Sequence, residues 1–163
     1  MSAVAPPSLH YGTVIAVENR AVLIRGPSGS GKSDLALRCL NTQISSNFLP
    51  NTTHQNCVLI ADDYVVISPQ DNKLIASAPE TIHGRLEVRG LGIVAVKTAP
   101  SAELVMVADL TTPDQIERLP LPWPQTELLG VRLPNLFVAP FEASAPIKIL
   151  IALTGQIETG LTA

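Results

Sequence analysis

The sequence predicts a β-rich α/β domain with few helices, and three observations lead there. Apolar residues fall in short runs of strand length, whereas only two segments repeat at helical spacing. Proline occurs 14 times in 163 residues, and proline sits mainly at element ends and sheet edges, which favours many short elements over a few long helices. With only 3 Phe, 2 Tyr and 1 Trp, the core falls to Val, Leu, Ile and Ala. A chain of this length buries such a core without disulfides or a structural metal.

Taken in order, residues 13–17 and 21–25 read as two strands, and Glu18, Asn19 and Arg20 between them suit a hairpin turn. A Gly/Ser cluster follows. Residues 32–40 then have helical spacing, with Leu35/Cys39 and Ala36/Leu40 as i,i+4 pairs on one side and Asp34 with Arg38 on another. Residues 41–56 are polar and read as a long loop or insertion. The continuous apolar run 57–61 is a strand buried on both faces. It ends at Asp62 and Asp63, strand character resumes over 64–67, and 68–72 read as a turn. Further strands are expected at 73–77, 91–97, 103–110 and 135–138, with Pro120, Pro122 and Pro124 breaking the chain between the last two. Near the end, Ser144 caps a helix with Pro146 in its first turn and Ile147, Leu150 and Ile151 facing inward.

Composition excludes several roles. Eleven basic residues against 14 acidic ones lack the basic excess that a nucleic-acid partner needs. Lys97, Glu103, Asp109 or a proline interrupts each apolar stretch too early for a membrane-spanning helix. The opening nine residues have no Lys or Arg and no long apolar run, unlike a secretory leader. Cys39 and Cys57 are too few for a disulfide scaffold, and no Cys/His cluster has metal-ligand spacing. The expectation is an intracellular domain with reduced thiols.

Chemistry is concentrated in two places. Gly26, Pro27, Ser28, Gly29, Ser30, Gly31, Lys32 and Ser33 match the phosphate-binding loop G-x-x-x-x-G-K-[ST]. Its glycines let successive N–H groups turn toward one anion, and the following helix adds its positive end. Lys32 is expected to reach the β- and γ-phosphates and the Ser33 hydroxyl to ligate Mg²⁺. A flexible glycine loop is the bland alternative, and the strand before and helix after argue against it. The second place is Val58 to Asp63, an apolar strand ending in two acids, as in a Walker B segment. One carboxylate there can hold metal while the other takes a proton from an incoming hydroxyl, although a solvated Asp-Asp turn looks the same in isolation. Glu87 and Arg89 alternate with apolar residues as on a strand with one wet face, and spacing supports nothing sharper. His10 and His83 are by default surface histidines. A hairpin before the loop and mostly strands after its helix also depart from the strand–helix alternation of common phosphate-loop enzymes.

In this order of pieces the chain resembles the catalytic domain of the HPr kinase/phosphorylase family, in its short single-domain form. The resemblance is carried by His10, the loop with Asp34 after it, Asp62-Asp63, Pro79-Glu80, and the signature Leu86, Glu87, Val88, Arg89, Gly90, Leu91, Gly92 and Ile93. It implies a phosphoenolpyruvate-carboxykinase-like phosphate-loop core over 1–163, without the N-terminal domain of longer members. It also implies transfer of phosphate from ATP, with Mg²⁺, to a serine of the phosphocarrier protein HPr, in a cytoplasmic homo-oligomer. Carried over by position, Gly26 to Ser33 bind nucleotide; Ser33, Glu87 and Asp62 ligate metal; Asp63, or else Asp62, is general base; His10 and Lys32 are catalytic. Two positions depart from the family. A family Arg aligns with Leu128, leaving Arg132 as its candidate replacement, and Ala139 to Ser144 lacks the Arg-Pro-Gly-rich character associated with phosphorolysis, so that reverse activity is not expected. The alternatives are a kinase for another protein or small molecule, and a nucleotide-sensing module with little turnover.

Overall fold

The computed structural model describes residues 5–44, 56–80 and 84–154. His83 and most of the polar stretch after the first helix lie outside them. Chain order runs β1 (Ser8–Tyr11), β2 (Thr13–Val17), β3 (Arg20–Arg25), α1 (Lys32–Leu40), β4 (Cys57–Ala61), β5 (Tyr64–Gln70), β6 (Lys73–Ser77), β7 (Arg85–Val88), β8 (Gly92–Ala95), β9 (Ser101–Leu110), β10 (Gln125–Leu128), β11 (Val131–Val138) and α2 (Ala145–Thr154).

The expected β-rich α/β class holds. One sheet has the order β1-β5-β6-β9-β3-β2-β4, and β7 pairs with β8 as a separate ribbon. Strand β9 is long enough to serve two neighbours along one edge. Its first half pairs with β6 (Leu74↔Leu104) and its second half with β11 (Asn135↔Val107), while β3 occupies the opposite edge. Strands β3, β9 and β11 are mutually parallel. Strand β2 is antiparallel to both β3 and β4, so β4 also runs with them. Four carboxyl ends therefore open on one rim, where ligands of α/β sheets bind.

Both faces of the sheet are covered. On one, α1 and α2 pack over Ile15, Ile24, Leu59, Met106 and Val138. On the other, Val65, Ile67 and Leu74 from β5 and β6 close over Val14, Leu23 and Ile60. Burying each such side chain contributes about 1.5–3 kcal/mol relative to leaving it exposed. Helix α1 turns Leu35, Ala36 and Cys39 inward, as its spacing requires. Cys39 and Cys57 are free, and burial pushes the Cys57 thiol up to about 12.

Several boundaries differ from expectation. The hairpin turn is two residues, Glu18 and Asn19, because Arg20 pairs with Val17. Strand β5 continues to Gln70 through Pro69, which pairs with Leu74. Strand β1 reaches only Ile67, so among the described residues one edge of β5 beyond it has no paired strand to lose a hydrogen bond to the proline. The turn is Asp71-Asn72, both at positive φ. Strands β1 and β10 are too short and polar to register as apolar runs. Helix α2 buries Ala145, Pro146, Ile149, Leu150 and Leu153. Its core stripe starts at Ala145, which rotates Ile147 outward to 41% exposure; the Ser144 carbonyl accepts the Lys148 N–H, as a capping position does.

Candidate active site

The glycine loop leaves the carboxyl end of β3 and feeds α1. Gly29 and Gly31 sit at φ 78 and 100, the left-handed region that glycine enters without strain. A Cβ at Gly31 would also meet the Phe141 ring at 3.2 Å. Lys32 is 4% exposed, and its ammonium is folded back onto the loop. Nζ donates to the Gly26 carbonyl at 2.8 Å, the Pro27 carbonyl at 2.9 Å and the Tyr11 hydroxyl at 3.3 Å. It also lies 4.4 Å from the Tyr11 ring centroid, a cation–π distance.

The two aspartates at the end of β4 have different surroundings. Asp62 is nearly buried, and its Oδ1 accepts the Ser33 hydroxyl at 2.7 Å and the Thr13 hydroxyl at 2.9 Å. It is thus tied to the loop serine and to β2. Asp63 adopts φ 63, and its carbonyl accepts the Gly12 N–H at 2.7 Å. The turn aims Asp63 into a cavity of about 440 Å³ that it shares with Tyr11, Lys32, Ser33, Glu87 and Arg89. Burial pushes the Asp63 carboxyl above the ordinary carboxylate value, and nearby Asp62 and Glu87 push the same way against Lys32.

Glu87 and Arg89 reach this cavity from the β7–β8 ribbon. The ribbon's wet face, legible only as alternation in the sequence, is the cavity's far wall. Among the described residues, no three His, Cys, Asp or Glu side chains form a metal cluster of their own. What the cavity does offer is hard oxygen donors beside a phosphate loop. That donor set fits Mg²⁺, which takes one or two carboxylates and completes its shell with phosphate oxygens and water.

His10, expected to be catalytic, is not among the residues that line this cavity. Successive side chains of a strand point to opposite sides, so β1 sends Tyr11 to the cavity and His10 the other way. There His10 Nε2 lies 2.7 Å from the Ser8 hydroxyl, and burial, then Arg25, holds its pKa below the ordinary value. Tyr11, edge-on to Tyr64 with ring centroids 5.5 Å apart, stands at the site instead. No spacing rule marks that tyrosine. Its place against Lys32 emerges only when β1 pairs with β5 and the fold brings that edge to the loop. Arg132 likewise lies outside, exposed on β11 opposite Glu127. The second cation lining the cavity, with Lys32, is Arg89.

With this geometry in hand, comparison with known proteins decides the family. The family model described as HPr Serine kinase C-terminal domain matches residues 2–154. The chain belongs to this family. The HPr kinase/phosphorylase of Geobacillus kaustophilus is 36% identical over 148 residues, covering 84% of this chain and 43% of that protein. That of Caldicellulosiruptor bescii is 32% identical over 163 residues, covering 93% and 48%. The chain thus spans less than half the length of these curated relatives. Among solved structures, the Hpr(Ser) kinase/phosphatase from Coxiella burnetii superposes with a TM-score of 0.69 at 21% identity, covering 90% of this chain and 93% of that one, which establishes a shared fold.

Proposed function

We propose that the chain is an ATP-dependent protein kinase that phosphorylates a serine of an HPr-type phosphocarrier. The observation that carries this reading is the single cavity joining Lys32 and Ser33 of the phosphate loop to Asp63 and Glu87, in a chain of the HPr serine kinase family.

The residues divide the work by their surroundings. The loop amides and Lys32 bind the β- and γ-phosphates once the ammonium exchanges its carbonyl partners for phosphate oxygens. Ser33 and Asp62, already hydrogen-bonded to each other, would hold Mg²⁺, with Glu87 lining the same cavity as Ser33. The metal supplies neutralisation of the charge that develops on the phosphoryl group. Asp63 is the general base. It lines the cavity, and its raised pKa makes it a better proton acceptor than an ordinary carboxylate. Asp62 is committed to two hydroxyl donors and serves the metal side. The β7–β8 ribbon, with Leu91 and Ile93 exposed, forms the wall against which the acceptor serine is presented.

The relatives' names include a phosphorylase activity. Residues 139–144 here carry no arginine, so we assign the forward kinase reaction alone. The family resemblance supports a cytoplasmic homo-oligomer. Among the described residues no helix is long and apolar enough to cross a membrane.

The test is transfer of label from γ-labelled ATP, with Mg²⁺, to HPr of the same organism. Label on one serine, lost in Asp63→Asn, is the expected result. Folded protein that binds ATP but leaves HPr unlabelled rejects the acceptor assignment, and labelling of unrelated proteins at equal rate points to a different kinase.

A further inference from the structure

We infer that a second cavity, on the opposite side of Phe141 from the catalytic one, is the nucleoside pocket of this chain, and that Phe141 is the platform on which the base stacks. The inference rests on the reading of the glycine loop as a nucleotide site.

The cavity encloses about 530 Å³, within the ~300–1,000 Å³ of small-ligand sites. It is built where three parallel strands end. Pro27 and Ser30 come from the loop after β3, Leu110 and Pro113 from the end of β9 and the turn beyond it, and Pro140 and Phe141 from the segment after β11. These walls are mostly carbon, in contrast to the charged catalytic cavity. Phe141 lines both cavities, and its ring rests against Gly31 of the phosphate loop. A nucleoside triphosphate has this same division. Its polyanion fits the amide cup, and its flat, weakly polar base fits the apolar side, with the ribose crossing the loop at Gly31.

Two further observations point to a ligand. Phe141 is 76% exposed, a large aromatic surface left to solvent although held in place. The holding is specific: Arg38 of α1 donates Nη2 to the Pro140 carbonyl and Nη1 to the Glu142 carbonyl, and its Nε is braced by Asp34 at 3.0 Å. In addition, the Ser30 hydroxyl oxygen in the pocket wall is buried without a hydrogen-bond partner, so it is free to turn toward a ribose or α-phosphate oxygen.

The decisive experiment compares Mg·ATP with inorganic tripolyphosphate by calorimetry, because the second ligand has the anion without the nucleoside. Wild-type protein is expected to bind ATP more tightly than tripolyphosphate. Phe141→Ala is expected to weaken ATP about five- to a hundredfold, the range a stacked base supplies, and to leave tripolyphosphate within about twofold. Thr112→Trp, which fills the cavity from its exposed far wall, is expected to act in the same selective way and does not touch the core. Equal wild-type affinity for the two ligands, or variants that weaken both alike, overturns the nucleoside pocket and leaves the phosphate cup standing. Binding of neither ligand to folded protein overturns both.

Discussion

Replacing Asp63 by asparagine is expected to abolish transfer and, at neutral pH, to make the protein more stable. The activity side follows from the loss of a general base, a contribution of about 10²–10⁴ in rate. The stability side follows from the site's own electrostatics. Burial, Asp62 and Glu87 raise the Asp63 pKa in the folded chain, so the folded state holds the proton more tightly than the unfolded one. Ionising Asp63 therefore disfavours folding: the penalty is absent below the ordinary carboxylate range and complete above the raised value. Asparagine carries no such charge and adopts the φ of 63 at least as readily. Asp63 is half-buried and opens onto the cavity, so the gain is that of a partly screened like-charge contact, about 0.5–1 kcal/mol. For a chain of this size that corresponds to about 1–4 °C in Tm. Thermal unfolding of both proteins at pH 7 and near pH 4 measures it, with the difference expected to shrink toward acid. A variant that is less stable at pH 7, or a gap that ignores pH, would refute the electrostatic argument, and full transfer by the variant would remove Asp63 as the base.

Three further outcomes are expected. His10→Ala should cost transfer less than Asp63→Asn does, because His10 alternates with Tyr11 on β1 and does not line the cavity; steady-state kinetics with HPr would expose an equal or larger loss. Lys32→Met should weaken Mg·ATP binding about 100-fold or more, the ammonium being one of the principal phosphate contacts, as read by calorimetry. Arg38→Ala should lower stability by about 1 kcal/mol, since the lost bonds to carbonyls are charge-assisted but half-exposed, and should speed amide exchange across residues 139–142.

The parts of the fold legible in the sequence were those with a strong local signal. The glycine loop, α1 and the strands β2, β4 and β6 combine unbroken periodicity with clear ends, and local rules suffice for them. The acidic pair was visible as a strand ending in carboxylates, but the different surroundings of Asp62 and Asp63 were not, because the hydroxyl of Thr13 comes from another strand. The same holds for Tyr11 and Phe141. Each reaches the site through long-range pairing, β1 with β5 and β11 with β9, which periodicity does not encode. The register of α2 was legible only in part: Leu150 is buried as expected but Ile147 is not, because with nearly every residue apolar the core alone decides which side of the cylinder turns inward.

The divided edge of β9 gives the molecule a seam. Residues up to Leu104 belong to one ladder with β6, and those from Val107 onward to another with β11. Among the described residues, the hairpin of β10 and β11 therefore joins the sheet only through the downstream ladder, and β5 and β6 only through the upstream one. The upstream half of this ten-residue strand is thereby tied to β6, while the downstream half, still part of the core through Val107 and Ala108, carries β11 to the rim.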